Sequence, residues 1–386
     1  MALLTGEVIM LLITHTDKDG NVWFHSRMLK PYHLPVTEIQ ANIDGYLSHS
    51  NTLRVFDASL GWTNRPNATT GIYSHDDRGI RVENADNSSK MSVPDVLRIA
   101  LFGDSFIYGE EVPFENTIGF YVGKLLADHN LKVEVMNFGV PAYGMDQAYL
   151  RWLKEARRFA PDVVILGFQP ENVKRNVNLV RALYLPGDAY PFLKPRFVLE
   201  HDTLALKNYP VPIPDSTAAI IEHMIGWRFR NYETFYKPED YEKTFWLRSR
   251  LVAYAFSFWE ENRFNIYENE RRFYAPDLEP VTLTLKIVEA FKRDVQEKGG
   301  AFFLVHLPRK ADVKALMNKE KLSYDNLLAK LDAENALIHP ERKLLEFAGT
   351  VCLDSLFAPE QHYSGHGNYL VAEEIVDAIG QQYLVK

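Results

Sequence analysis

Residues 97–106 read LRIALFGDSF. A short apolar run stopped by a glycine has the pattern of a strand buried on both faces, the kind found in parallel sheets. Two similar runs follow: Val133 to Met136, just before Asn137-Phe138-Gly139, and Val163 to Phe168 (VVILGF), just after Pro161-Asp162. Between them lie helical patterns over Thr117 to Asp128 and Met145 to Phe159, the second with Leu150, Leu153 and Ala156 on one face. A later helix, Leu283 to Lys298, ends at Gly299-Gly300 and leads into a strand, Ala301 to Leu307 (AFFLVHL). Gly367 to Tyr383 reads as a closing helix. The alternation predicts a three-layer α/β sandwich around a mostly parallel sheet, with sites at the carboxyl ends of its strands.

Outside this rhythm the chain divides twice. Residues 1 to about 95 show no sustained helical period and are rich in turn formers, as in Asn64-Arg65-Pro66-Asn67 and Asp76-Asp77-Arg78-Gly79. They are expected to form a mostly irregular N-terminal segment packed on a main domain of residues 96–386. Residues 174–280 hold a dense set of aromatics, among them Trp227, Tyr232, Phe235, Trp246 and Trp259, and are expected to be a helical, cap-like insertion in that domain.

A chain of 386 residues with 46% hydrophobic and 24% charged residues has the balance of a globular protein. Its net charge of −8 and the absence of a basic run exclude a long nucleic-acid footprint. The single cysteine, Cys352, cannot form an intramolecular disulfide and is expected to be a buried free thiol. The apolar run Val8 to Ile13 is too short to span a bilayer. Glu7 and the lack of a basic flank argue against a secretory signal. The expectation is a soluble protein without membrane insertion, cytoplasmic by default, its oligomeric state open.

Four separated segments carry the chemistry. Gly103-Asp104-Ser105-Phe106 places a serine where a buried strand meets a turn, but a serine needs a positioned base to act as a nucleophile. Asn137-Phe138-Gly139 puts a glycine N–H at the next strand end, and Gly167-Phe168-Gln169-Pro170-Glu171-Asn172 puts an amide at the third. Glu360-Gln361-His362 stands just before the last helix. Glu360, His362 and His366 do not read as a metal set, because Gly365 and Gly367 interrupt any shared helix face. No cofactor is expected.

In this order, these segments resemble the blocks of the SGNH (GDSL-like) hydrolases, over roughly Leu97 to Val173 and Phe357 to Ile375. Asp57 to Trp62 and Arg78-Gly79-Ile80-Arg81 also look like the leader of many bacterial members. The resemblance implies a flavodoxin-like sandwich and a serine esterase. In it Ser105 attacks an ester carbonyl, His362 takes the proton, and the N–H groups of Ser105 and Gly139 and the amide of Asn172 hold the oxyanion. The family's acid lies two or three residues before the histidine, where this chain has Pro359 and Glu360. Glu360 is therefore the expected orienting acid, with Asp354 or a dyad held by a backbone carbonyl as alternatives. The substrate class is a small-molecule or glycan ester, acetyl or short acyl. Transfer of the acyl group to a glycan by the same residues, or a non-catalytic carbohydrate-binding or scaffold module, are the competing readings.

Overall fold

In the computed structural model, which describes residues 2–48, 53–85, 95–185, 190–263 and 273–383, the segment before residue 95 carries regular elements where irregular chain was expected. Helix α1 (Ala2–Ile13) leads into a three-stranded antiparallel sheet of β1 (Thr14–Thr16), β2 (Val22–Phe24) and β3 (Arg27–Leu29). Helix α2 (Val36–Ser48) and a hairpin, β4 (Arg54–Asp57) and β5 (Gly61–Asn64), follow. Three short strands, β6 (Thr69–Thr70), β7 (Tyr73–His75) and β8 (Arg81–Val82), then join the main sheet as an antiparallel extension. Their residues, TT, YSH and RV, are too few to show a period of two; long-range pairing, Arg81 opposite Asn137, places them.

The main sheet is the one the apolar runs predict. Its parallel members are β9 (Leu97–Phe102), β10 (Val133–Asn137) and β11 (Val163–Phe168), joined by a fourth after the insertion. Helices α3 (Ser105–Tyr108), α4 (Ile118–Asp128) and α5 (Met145–Lys154) connect them. Helices α6 (Glu171–Arg175) and α7 (Arg181–Tyr184) open the insertion. It continues through the hairpin β12 (Arg196–Glu200) and β13 (Thr203–Lys207), then α8 (Thr217–Glu222) and α9 (Arg250–Arg263). It is thus a hairpin with short helices rather than a purely helical cap. Helix α10 (Glu279–Glu297) returns the chain to β14 (Ala301–His306), which pairs parallel with β11. The chain closes with α11 (Lys310–Met317), α12 (Asp325–Asn335), α13 (Glu341–Thr350) and α14 (Gly365–Tyr383).

The strand order is β14-β11-β9-β10-β8-β7-β6. Successive residues of one strand face opposite layers. Ala100, Phe102, Val164 and Leu166 pack with Ala148 and Trp152 of α5 and Ile287 and Phe291 of α10. Ile99, Leu101, Val163 and Ile165 pack with Ile118 and Val122 of α4 and Val371 and Ile375 of α14. Both faces are therefore covered, which is why residues 99–102 and 163–166 read as unbroken apolar runs. Cys352, expected to be buried, is exposed, because it lies in the turn just beyond α13. Among the described residues no helix is long and apolar enough to cross a membrane.

Candidate active site

Ser105 stands at the carboxyl end of β9, the first residue of the one-turn helix α3. The turn depends on Gly103, whose φ of +156° is a glycine conformation and whose missing Cβ would meet Ile107 Cγ1 at 2.6 Å. Asp104 is the hub beneath it. Its Oδ1 accepts from the Phe106 N–H at 3.0 Å and caps α3, while its Oδ2 accepts from Arg175 Nη1 at 2.7 Å and Asn172 Nδ2 at 3.2 Å. Burial opposes the charge on Arg175, but Asp104 and Glu171 beside it hold its pKa above the ordinary value. Asp104 is therefore spent on building the turn, and the Ser105 hydroxyl has no hydrogen-bond partner among the described residues.

The histidine arrives from the other end of the chain. Phe106 packs on the His362 ring at 5.3 Å and on Tyr363 at 5.0 Å, which brings the turn before α14 against α3. His362 Nδ1 donates to Glu111 Oε2 at 2.8 Å; a carboxylate can only accept, so this nitrogen carries the proton and Nε2 is left unprotonated. The His362 backbone N–H donates to the same oxygen at 3.1 Å, and the Glu360 N–H donates to Glu111 Oε1 at 2.6 Å. Glu111 thus holds both the imidazole and the loop that carries it.

This overturns the expected acid. Glu360 is exposed and contributes only its backbone N–H, and Asp354 is paired with Lys310 at 2.7 Å. The carboxylate that orients His362 comes from the turn after α3, one residue beyond Glu110. Glu111 sits at φ +68°, a left-handed conformation that costs a non-glycine residue about 1 kcal/mol and that surrounding contacts must impose. They do: the Glu111 N–H donates to Tyr73 Oη at 3.0 Å, and buried Arg81 donates to Gly109 O at 3.2 Å and Val112 O at 2.8 Å. Strands β7 and β8, from the segment expected to be irregular, hold the acid in place.

Two of the expected oxyanion donors are already engaged. The Gly139 N–H donates to Asn137 Oδ1 at 2.9 Å, and the Asn172 amide donates to Asp104 Oδ2 and to Tyr143 O at 3.1 Å. Two backbone donors are open instead. Neither the Ser105 N–H nor the Ala142 N–H donates a hydrogen bond among the described residues. Ala142 lies at φ +70° in the loop that Val140 N–H ties to Gly103 O at 3.1 Å, and the next residue, Tyr143, meets Asn172. Ala142 is not legible in the sequence as a donor, because alanine gives no sign of a left-handed residue; only the backbone shows it.

No protein-family model and no curated protein matches the chain. Solved structures do. A lipase from a goat rumen metagenome is 11% identical, the match covering 73% of this chain and 97% of that one at a TM-score of 0.40. An acetyl-xylooligosaccharide esterase from Geobacillus is 11% identical over 76% and 97%, at 0.40. A member of the lipolytic protein G-D-S-L family from Veillonella parvula is 11% identical over 74% and 98%, at 0.36. The chain resembles the SGNH hydrolases. At these values the likeness says nothing of reaction or substrate, and the site must be argued from its own atoms.

Of the residues matched to the SGNH blocks, then, the structure gathers Ser105, Asn172 and His362 at one sheet edge and leaves Glu360 at the surface. On its far side, His362 Nε2 lies 3.9 Å from Glu110 Oε2 and makes no hydrogen bond to Ser105. Burial raises the Glu110 pKa, against the attraction of Arg54 and His362. His366 is exposed and packs on Phe347 at 5.6 Å. A separate group lies at the end of β14, where Glu341 Oε1 accepts from His306 Nδ1 and, at 3.3 Å, from His339 Nδ1. Burial alone would raise Glu341, but these two imidazoles pull it down to about 2.

Proposed function

We propose that this chain hydrolyses a carboxylic ester, acetyl or short acyl, through an acyl-enzyme on Ser105. Three features support the reading: a serine at a strand end whose hydroxyl has no partner among the described residues, an imidazole whose Nδ1 is fixed by the half-buried Glu111 carboxylate, and backbone N–H groups at Ser105 and Ala142 that donate no hydrogen bond among the described residues. The observation that carries it is the 2.8 Å contact of His362 Nδ1 with Glu111, since a histidine held in that tautomer offers Nε2 as a general base.

In the reaction, Ser105 Oγ adds to the ester carbonyl as its proton passes to His362 Nε2. Glu111 stabilises the imidazolium without taking the proton. The oxyanion faces the Ser105 and Ala142 N–H groups. His362 then protonates the departing alcohol, and water reverses the steps to free the acid. The open distance between Ser105 and His362 is compatible with this, because catalytic hydrogen bonds often tighten only when substrate is bound.

The test is turnover of p-nitrophenyl acetate by the wild type and Ser105→Ala, with fluorophosphonate labelling alongside. Labelling at Ser105 and loss of turnover by about three orders of magnitude or more are expected. Retained turnover in Ser105→Ala, or no labelling of the wild type, would refute the assignment. Release of free acid unaffected by added glycan acceptor would separate hydrolysis from transfer.

A further inference from the structure

Helix α1 reads ALLTGEVIMLLI, with Glu7 its one charged residue. A helix so apolar should be buried, yet Met10 alone among its described side chains is buried. Leu4 is 74% and Leu12 79% exposed, and Val8, Ile9, Leu11 and Ile13 are each about half exposed. The inner face is defined by contact with α9. A Cβ on Gly6 would meet Leu251 Cδ2 at 2.7 Å, and Glu7 accepts from Ser249 Oγ at 2.6 Å and from the Arg250 N–H at 2.8 Å.

At about 100° per residue, the six exposed aliphatics fan over roughly 200° of the helix circumference. A rigid partner groove touches a narrower stripe, about 100° wide or a little more. A fluid apolar phase can surround half a helix. Beside α1, Trp246, Phe256 and Trp259 form a continuous ring strip, with centroids 5.1 and 6.1 Å apart, and Phe245 projects at 81% exposure. Tryptophan favours the boundary between acyl chains and headgroups. The adjoining stretch, residues 243–250, reads KTFWLRSR and carries three cations and no acid in a chain of net charge −8, with Lys243 and Arg248 exposed. That charge complements anionic headgroups.

We infer that the surface formed by α1 and residues 243–259 docks on an anionic phospholipid membrane, with α1 half immersed in the interface. The inference does not rest on the reaction at Ser105. It is tested by co-sedimentation of the full chain with vesicles of phosphatidylcholine alone or mixed with phosphatidylglycerol. The wild type is expected to pellet with the mixed vesicles and to be released by salt. The double change Val8→Asn with Leu12→Asn removes exposed apolar area without touching the buried face, and should weaken partitioning about ten-fold or more. Phe245→Ala with Trp246→Ala should do the same, and Lys243→Gln with Arg248→Gln should abolish the preference for anionic vesicles. Unchanged thermal melts show that each variant is folded. A wild type that stays in the supernatant with both vesicle types overturns the inference, as does a stable dimer in light scattering that Leu12→Asn converts to monomers, which would make the occupant a second copy.

Discussion

Glu111, six residues after Ser105, bonds His362 across 251 positions of sequence, so the turn that carries Ser105 also supplies the carboxylate that orients His362. Glu111, Ser105 and Asp104, the cap on α3, all lie within residues 104–111. The histidine loop is consequently positioned by its partner rather than by an acid of its own.

The first prediction separates the two acids. Glu111→Gln keeps the size of the side chain but removes the charge that favours the Nδ1-protonated tautomer and the imidazolium. Turnover of an acetyl ester should fall by about 10³ to 10⁴. Glu360→Gln, at an exposed side chain, should remain within a few-fold of wild type. Steady-state kinetics on both variants decide it, and equal losses would return the acid to Glu360.

The parallel sheet was legible because β11 is buried along its whole length and β9 and β14 over most of theirs, which leaves runs that are almost wholly apolar. Helix α10 begins at Glu279, four residues before the apolar period suggested, because Pro280 is tolerated in a first turn whose N–H groups lack intrahelical partners anyway. Strands β6 to β8 were not legible, being too short to have a pattern. Neither was Glu111, because its position depends on a left-handed backbone held by Tyr73 and Arg81, contacts that no local spacing records. The same holds for the Gly139 N–H: the sequence offered it as a donor, and the side chain of Asn137 takes it.

Arg81 provides the second prediction. Its guanidinium is buried, bonds three carbonyl oxygens, of Ile72, Gly109 and Val112, and lies 4.5 Å from the ring centroid of Tyr73 and 4.7 Å from that of Tyr108. Arg81→Ala leaves those carbonyls unsatisfied and frees the turn of Glu111. A stability loss of about 3 kcal/mol is expected by denaturant melts. In the folded fraction, kcat should drop more than KM rises, since the residue touches no substrate. Arg81→Lys should recover stability only in part, because one ammonium cannot reach all three oxygens.

His75 gives the pH dependence. Its Nε2 faces Tyr108 Oη at 2.9 Å and its Nδ1 faces Arg65 O at 3.0 Å. Burial, then the charge of Arg54, lowers its pKa from 6.5 to about 3. The unfolded chain therefore binds a proton that the folded one refuses, so this group's contribution is complete above pH 6.5 and is lost as pH falls toward 3. By pH 4.5 the loss should be about 2.7 kcal/mol. The difference in unfolding free energy between wild type and His75→Gln, followed from pH 7 to 4.5, isolates it, because other buried acids titrate alike in both proteins. A difference that stays flat over that range would show that His75 is free to protonate in the folded state.

The last prediction concerns how the insertion is fastened to the sheet domain. Lys194, in the insertion, donates to Asp146 Oδ2 of α5 at 2.5 Å and to the carbonyls of Arg175 and Asn178, with both charged side chains almost wholly buried. Burial lowers the lysine pKa and raises that of the aspartate, so the pair survives only by mutual attraction. Lys194→Met removes one charge and strands the other, and should cost about 3 to 5 kcal/mol. Adding Asp146→Asn should restore part of that loss, since a neutral amide is far cheaper to bury alone than a carboxylate. Denaturant melts of the two single variants and the double variant form a complete cycle. Additive losses would mean that the two charges do not depend on each other, and that the insertion is held by its apolar contacts alone.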